Sequence, residues 1–441
     1  MSEPIWQPAP GLTAAETHTS LVWFNWNITL RGVFETICGG TTMVFVAFAI
    51  AVGVPENAMG YFSAAISGAC IMQLLFLPLG SRVRQRKRFI LTLALLEPPL
   101  LAAAILAVPH LPPTWRPLCL GVAVFLAAAC LHLTRPFADD WLATTIPSGL
   151  RGRYIGQRVR LTSFAIVAST LAVGSAVELL GPANVAGLTL LLLVGAVFGI
   201  LAVLTLTRVA MPAKTVPQAF TLRDLTTVGR TKPFVRLVVG TLIYMMPFYF
   251  AGAYYQVFNL EIVQMSPWLI SCMGVGYLVV KLLVTPAFGR LCDRWGPRRL
   301  VWAIGPVYVA FFACFPFAIP GRPWPIIMSW AFVALADGVL SVAGPAALYG
   351  VIPDQGARPA FFAVYNLLNL FGFGVAGVLA VPLLRLLQGV DWTWGAANLG
   401  GYHLFYALLG VLMIPCSFAA GLFPDGHARS PRQASIAKPN R

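Results

Sequence analysis

Apolar residues in this chain come in blocks of about 20, set apart by short polar segments, and within a block the apolar run is continuous. About 20 apolar residues is the length at which a helix crosses the hydrocarbon core of a bilayer. No water is present there to satisfy the backbone, so only helices and closed barrels can span it; unbroken runs, rather than alternation with a period of two, select helices. The pattern predicts spans at 30–54, 58–80, 89–108, 118–146, 159–180, 184–207, 236–259, 266–289, 300–320, 324–350, 360–386 and 401–423. The expected fold class is an all-α polytopic membrane protein of about twelve transmembrane helices.

The spans divide six and six around the longest connecting segment, 208–235, which is basic and contains Pro212, Pro217 and Pro233. Signals recur across it. Ile146-Pro147, followed by Arg151, Tyr154 and Arg158, lies 206 positions before Ile352-Pro353, followed by Arg358, Phe361 and Tyr365. Lys87-Arg88-Phe89-Ile90 precedes Arg298-Arg299-Leu300-Val301 by 211, and Arg31 precedes Arg236 by 205. These offsets suggest a duplicated unit. The expected organisation is an N-terminal tail over 1–29, a six-helix bundle over 30–207, a loop over 208–235, a second bundle over 236–423 and a tail over 424–441. Parallel duplication of this kind is a plan of membrane transporters.

Composition agrees with a membrane protein: 58% of the 441 residues are hydrophobic and 10% are charged, against roughly 25% charged in soluble domains. The net charge of +15 would suit nucleic acid if the basic residues formed one patch, but they sit in short segments between the blocks. Of the 30 lysines and arginines, 25 fall in one alternating set of segments, Arg31 among them. Only Arg116 and Arg322 fall in the other set, and Arg135, Lys281 and Arg385 lie within spans. The positive-inside rule places both termini in the cytoplasm, which requires an even number of spans, and a bacterial inner membrane is the expected location. The first thirty residues, with Glu3, Glu16 and several prolines, lack the basic start and apolar run of a signal peptide. Trp23, Phe24 and Trp26 are expected to form an interfacial anchor. None of the eight cysteines forms a C-x-x-C pair, and they read as small buried hydrophobes.

Between spans 8 and 9 runs Gly289-Arg290-Leu291-Cys292-Asp293-Arg294-Trp295-Gly296-Pro297-Arg298-Arg299. This closely resembles the signature loop of the major facilitator superfamily, roughly G-x-L-x-D-R-x-G-R-R, and departs from it at Pro297. The resemblance implies two six-helix bundles and a gating role for Gly289, Asp293, Arg294, Gly296 and Arg299. Gly289 and Gly296 can supply tight turns or close helix approach. Asp293, among arginines at the membrane edge, is expected to be paired or to cap a helix N-terminus. In the first-half copy Arg82 takes the place of Asp293, with Asp139 and Asp140 as its expected partners.

Ionisable residues inside spans are costly and usually functional. They are Glu35, Glu97, Arg135, Asp139, Asp140, Lys281, Asp337 and Arg385. The resemblance puts spans 1, 4, 7 and 10 around the central cavity, which favours Glu35, Arg135, Asp139 and Asp337. Asp337, near the middle of span 10, is the leading candidate to carry a coupling proton; the alternative is a bridge to Lys281. Glu35 is the next candidate. Arg135 and Asp139 share a helix face at i and i+4, as an ion pair or a site for a charged solute. Glu97, before Pro98-Pro99, reads as a buried acid at a kink. Aromatic and amide residues in spans 7 and 11, including Tyr244, Tyr249 and Asn366, suit an organic solute. Gly372-Phe373-Gly374-Val375-Ala376-Gly377 matches a dinucleotide fingerprint in letters, but it lies inside an apolar span and reads as close helix packing. With no nucleotide loop, metal spacing or nucleophile elbow, neither a cofactor nor enzyme activity is expected. The expected function is secondary transport of a small solute by alternating access, with protons as the candidate co-ion and lipid as the surroundings. No nucleic-acid partner is expected, and the protein is expected to be a monomer. The alternative is a non-transporting member of the same fold acting as a sensor or assembly factor.

Overall fold

The computed structural model describes residues 8–75, 83, 85–147, 151–212, 222–352, 358–390, 392–394 and 397–424. Arg82, Pro353, the segment 213–221 and the tail from 425 lie outside the described residues. Eleven helices among those described are long and apolar enough to cross a membrane, and the described residues are almost entirely helical.

The chain divides into two compact units. The first comprises residues up to Thr221 together with Gly252–Val275 and Phe373–Arg385. Its helices are α1 (Ala14–Cys38), α2 (Met43–Ala51), α3 (Met59–Gly68), α4 (Arg86–Ala107), α5 (Arg116–Thr145), α6 (Arg151–Leu180) and α7 (Val185–Thr207). The first helix starts at Ala14, well before the expected 30. Thr13 and Glu16 form a capping box: the Thr13 hydroxyl accepts the Glu16 N–H, and the Glu16 carboxylate accepts the Thr13 N–H. Together they satisfy two orphan donors of the first turn. α1 then breaks at Gly39–Thr42 and resumes as α2 inside the same span. The second expected span begins as α3 and tightens into a 3-10 helix over Ala69–Leu75.

The expected aromatic anchor separates into different roles. Phe24 is buried, edge-on to Trp141 at 5.3 Å, in a core with Leu21, Phe137, Tyr154 and Leu206, while Trp26 stays exposed. Trp141 donates to the Ala210 carbonyl at 3.0 Å and Tyr154 to that of Leu21 at 2.9 Å. The polar tips of this core are therefore satisfied.

The second unit comprises Leu222–Ala251, Gly276–Gly372 and the chain from Leu386. Its elements are α8 (Leu222–Arg230), α9 (Lys232–Ala251), most of α10 (Pro267–Trp295), α11 (Pro297–Ala313), α12 (Trp324–Val351), most of α13 (Arg358–Gln388) and α14 (Gly401–Ser417). A short antiparallel ladder pairs β1 (Trp392–Trp394) with β2 (Ala397–Leu399).

The two units repeat one packing scheme. α1 packs on α7, α4 on α5 and α4 on α7; correspondingly α9 packs on α14, α11 on α12 and α11 on α14. Ile146 and Ile352 end α5 and α12 in the same extended conformation, each donating to the carbonyl four residues back.

Within the first unit, α3 meets the Phe373–Arg385 segment backbone to backbone. A Cβ on Gly60 would lie 2.5 Å from the Gly377 carbonyl oxygen and 2.7 Å from the Tyr254 hydroxyl, and one on Gly374 would lie 2.9 Å from Ser67 Cβ. Tyr254 clips the joint by donating to the Asn57 carbonyl at 3.0 Å. The Glu178 carboxylate at the end of α6 accepts the Trp268 N–H at 3.3 Å, at the positive N-terminal end of α10. The glycine pattern of 372–377 thus serves close helix approach.

Candidate functional site

Among the described residues, a cluster of polar side chains lies inside the membrane-spanning segments of each unit. The first begins with Arg31, the eighteenth residue of α1 rather than a loop residue, as the positive-inside count assumed. Its Nη1 and Nη2 donate to the two carboxylate oxygens of Glu97 at 2.9 and 2.8 Å, and its Nε donates to Glu35 Oε1 at 2.8 Å. Glu97 is the buried acid beside Pro98 and Pro99 in α4; its side chain is 6% exposed, Arg31 is 15% exposed and Glu35 is 55% exposed. A bidentate fork of this kind matches guanidinium geometry to carboxylate geometry. Nearby, Gln73 bonds the His132 ring at 2.8 Å.

The second cluster centres on Asp337 of α12. Tyr277 of α10 donates to its Oδ2 and Tyr308 of α11 to its Oδ1, both at 2.6 Å. Lys281, one turn beyond Tyr277, donates to the Tyr277 hydroxyl at 3.2 Å and lies 5.5 Å from that ring. Asp337 and Lys281 are therefore linked through a phenol rather than by a direct ion pair. Tyr308 is fully buried, packed against Phe248 at 4.4 Å and Tyr244 at 6.0 Å.

The other expected site residues are scattered. Tyr244 is wholly buried and donates to the Val301 carbonyl at 3.0 Å, so it belongs to the core. Tyr249 donates to Asn369 Oδ1 at 2.7 Å, joining α9 to α13, while Asn366 is exposed and among the described residues makes no such bond. Arg135 and Asp139 pair at 3.9 Å with side chains 60% and 71% exposed, too open to contribute much. Asp140 pairs with Arg86 at 3.6 Å.

In the signature segment, α10 runs on to Trp295, so Gly289, Asp293 and Arg294 are helical rather than in a loop. Asp293, Arg294 and Arg299 are exposed, and among the described residues Asp293 makes no ion pair. The turn is made by Gly296, at φ 78° and ψ 158°, with Pro297 opening α11. Gly289 sits in open space inside its helix and makes no close approach. Gly296→Ala is accordingly expected to cost about 1–3 kcal/mol and Gly289→Ala nothing, with melting temperature as the readout.

Sequence reasoning missed Arg31, Tyr277 and Tyr308. Arg31 was assigned to a basic segment, and tyrosines in apolar spans look like packing.

Residues 237–440 match the family model described as Major Facilitator Superfamily. No curated protein matches the chain. Among solved structures, a mutant of the nucleoside transporter NupG superposes with a TM-score of 0.70 at 10% identity, covering 93% of this chain and 100% of that one. A D-xylose-proton symporter gives 0.67 at 14%, covering 93% and 99%. A bacterial homologue of the human lysosomal transporter Spinster, inward-facing and occupied, gives 0.68 at 14%, covering 93% and 97%. With its membrane helices, its repeated packing scheme and these matches, the chain is an integral membrane protein with the fold of these transporters, and its second half matches the Major Facilitator Superfamily model.

Proposed function

We propose that this protein is a secondary transporter that moves a small organic solute across the membrane by alternating access, with Asp337 carrying a coupling proton. One observation carries the reading: a carboxylate midway along a membrane helix is held by two tyrosine hydroxyls, with a lysine ammonium one hydrogen bond further on. Such groups are expensive in a bilayer and mark ion or solute pathways. Ionised, Asp337 accepts from α10 and α11 at once and ties both to α12. Protonated, one of its oxygens becomes a donor, and one tyrosine must then find another acceptor. Gain and loss of the proton therefore switch how three helices are tied together. In this reading the close glycine joint between α3 and Phe373–Arg385 parts and reforms during the cycle. The solved D-xylose-proton symporter has this fold, which favours the same coupling here.

The gating role of Asp293, Arg294 and Arg299 belongs to this reading, with Gly296 as the pivot. So does placement in a bacterial inner membrane as a monomer, with the basic segments and both chain ends in the cytoplasm.

The test is flux in proteoliposomes, with a solute first found by thermal-shift screening of the purified protein. Asp337→Asn is expected to lose gradient-driven accumulation at least about tenfold while keeping solute counterflow, because coupling and not binding is removed. Accumulation like the parent's would remove Asp337 from the coupling role. Absence of flux in the parent would remove the transporter reading itself.

A further inference from the structure

The first-unit cluster opens onto a cavity of about 290 Å³ lined by α1, α3, α4 and α5. Its polar wall is Arg31, Glu35, Glu97, Thr41 and Thr42, and its apolar wall includes Ile66, Leu101 and Leu131. Three features set its charge preference. First, one guanidinium faces two carboxylates, so the ionised cluster carries a formal charge of −1. Second, all three guanidinium nitrogens already donate to carboxylate oxygens, two to Glu97 and one to Glu35. Three of its five N–H groups are taken, so neither two-pronged edge of Arg31 is left whole for an anionic ligand. Third, Glu35 accepts through Oε1 alone, and among the described residues its Oε2 has no donor.

The backbone at the break presents two helix ends of opposite sign. α1 ends at Cys38 because the chain breaks at Gly39–Thr42, within the span. The C-terminal end of a helix carries about half a negative charge, and here it points into the same cavity, which Gly39, Gly40, Thr41 and Thr42 line. The N-terminal end of α2 starts at Thr42 of the same break without a side-chain cap and offsets that charge, so the preference for a cation rests on the carboxylates. The cavity is far larger than one water's share of liquid volume, about 30 Å³, and one side is apolar. A bare metal ion would leave that side unused.

We propose that this cavity is a subsite for the ammonium group of an organic amine, with Glu35 Oε2 as the acceptor and the apolar wall receiving the carbon skeleton. Arg31 and Glu97 are positioning residues that hold Glu35 in place. The proposal rests on the transporter reading only in calling the amine a solute; the binding itself is tested without transport.

Purified full-length protein in nanodiscs is titrated with phenethylamine, phenethyl alcohol and hydrocinnamate, which share a ring and differ in charge. The amine is expected to bind about tenfold or more tighter than the alcohol, the fold-change of one charge-assisted hydrogen bond, and hydrocinnamate more weakly still. Glu35→Gln should abolish the preference for the amine over the alcohol while melting like the parent without ligand. Glu35→Asp should restore part of it. Equal affinities for the three probes, no binding of the amine, or a preference that survives Glu35→Gln would each overturn the subsite. If Glu35→Gln fails to melt cooperatively, Leu101→Phe, which fills the apolar wall from α4, decides instead: unchanged amine affinity overturns the proposal and loss supports it. Flux of another solute alongside a failed amine preference would leave the transporter reading standing, so the two failures are distinguishable.

Discussion

Arg31→Ala is expected to destabilise the protein by about 3–5 kcal/mol, because it strands a buried carboxylate. Glu97 is 6% exposed at its side chain, and both of its oxygens are held by this one guanidinium. Removing the partner leaves a charge that the bilayer interior cannot solvate and that water reaches poorly. The pair joins α1 to α4 across 66 positions of chain, so its loss also loosens a helix contact. For a bundle of this size the fall in melting temperature should be about 6–20 °C. The double change Arg31→Met with Glu97→Met should recover most of it, since a buried ion pair replaced by apolar side chains of similar length is often neutral. Glu35 would then stand alone, but at 55% exposure it can be solvated. Melting of Arg31→Ala within about 2 °C of the parent, less than the shift from 1 kcal/mol, would show that the fork holds nothing together.

Gly60→Leu is expected to force open the joint between α3 and the Phe373–Arg385 segment. The Cβ alone would lie 2.5 Å from the Gly377 oxygen and 2.8 Å from Val381 Cγ2. The obstruction on one side is backbone, which cannot rotate away as a flexible side-chain end can. Overpacking of this kind costs typically about 1–3 kcal/mol, which shifts a two-state equilibrium roughly 5- to 150-fold. Ser67, two turns along α3, is 1% exposed and faces Gly374. A cysteine placed there by Ser67→Cys should react slowly with a membrane-impermeant maleimide in the parent and more than about fivefold faster in Gly60→Leu, the lower end of that shift. Solute flux should fall in parallel, since an arrangement that cannot close cannot complete a cycle. Unchanged labelling and unchanged flux together would mean that the joint takes no part in the cycle.

Much of the fold was legible along the chain because a bilayer imposes local rules. Block length and continuity of the apolar runs each depend on one segment and its surroundings. The duplicated Ile-Pro signals at 146 and 352 fall at two helix ends with the same geometry. Even the early start of α1 had a local sign in Thr13-Ala14-Ala15-Glu16, whose spacing is that of a capping box. The end of α10 was misplaced because Gly289 reads as a turn residue, although a glycine in a helix with open space around it needs no turn.

The site was less legible for a physical reason. An ionisable residue inside an apolar run announces itself, so Asp337, Lys281, Glu35 and Glu97 stood out from the sequence, but their partners did not. Arg31 carries the same charge as any loop arginine, and only the depth at which α1 and α4 cross makes it the fork that holds Glu97. Tyr277 and Tyr308 are ordinary apolar-span aromatics until the packing of three helices brings both hydroxyls to one carboxylate. The same packing removed Tyr244 from the candidates by burying it. By itself the sequence determined which segments are apolar enough to cross a membrane and which charges lie within them, because transfer into lipid is a property of a segment. Only tertiary structure decided which charges meet, because pairing is set by distances between helices far apart in the chain.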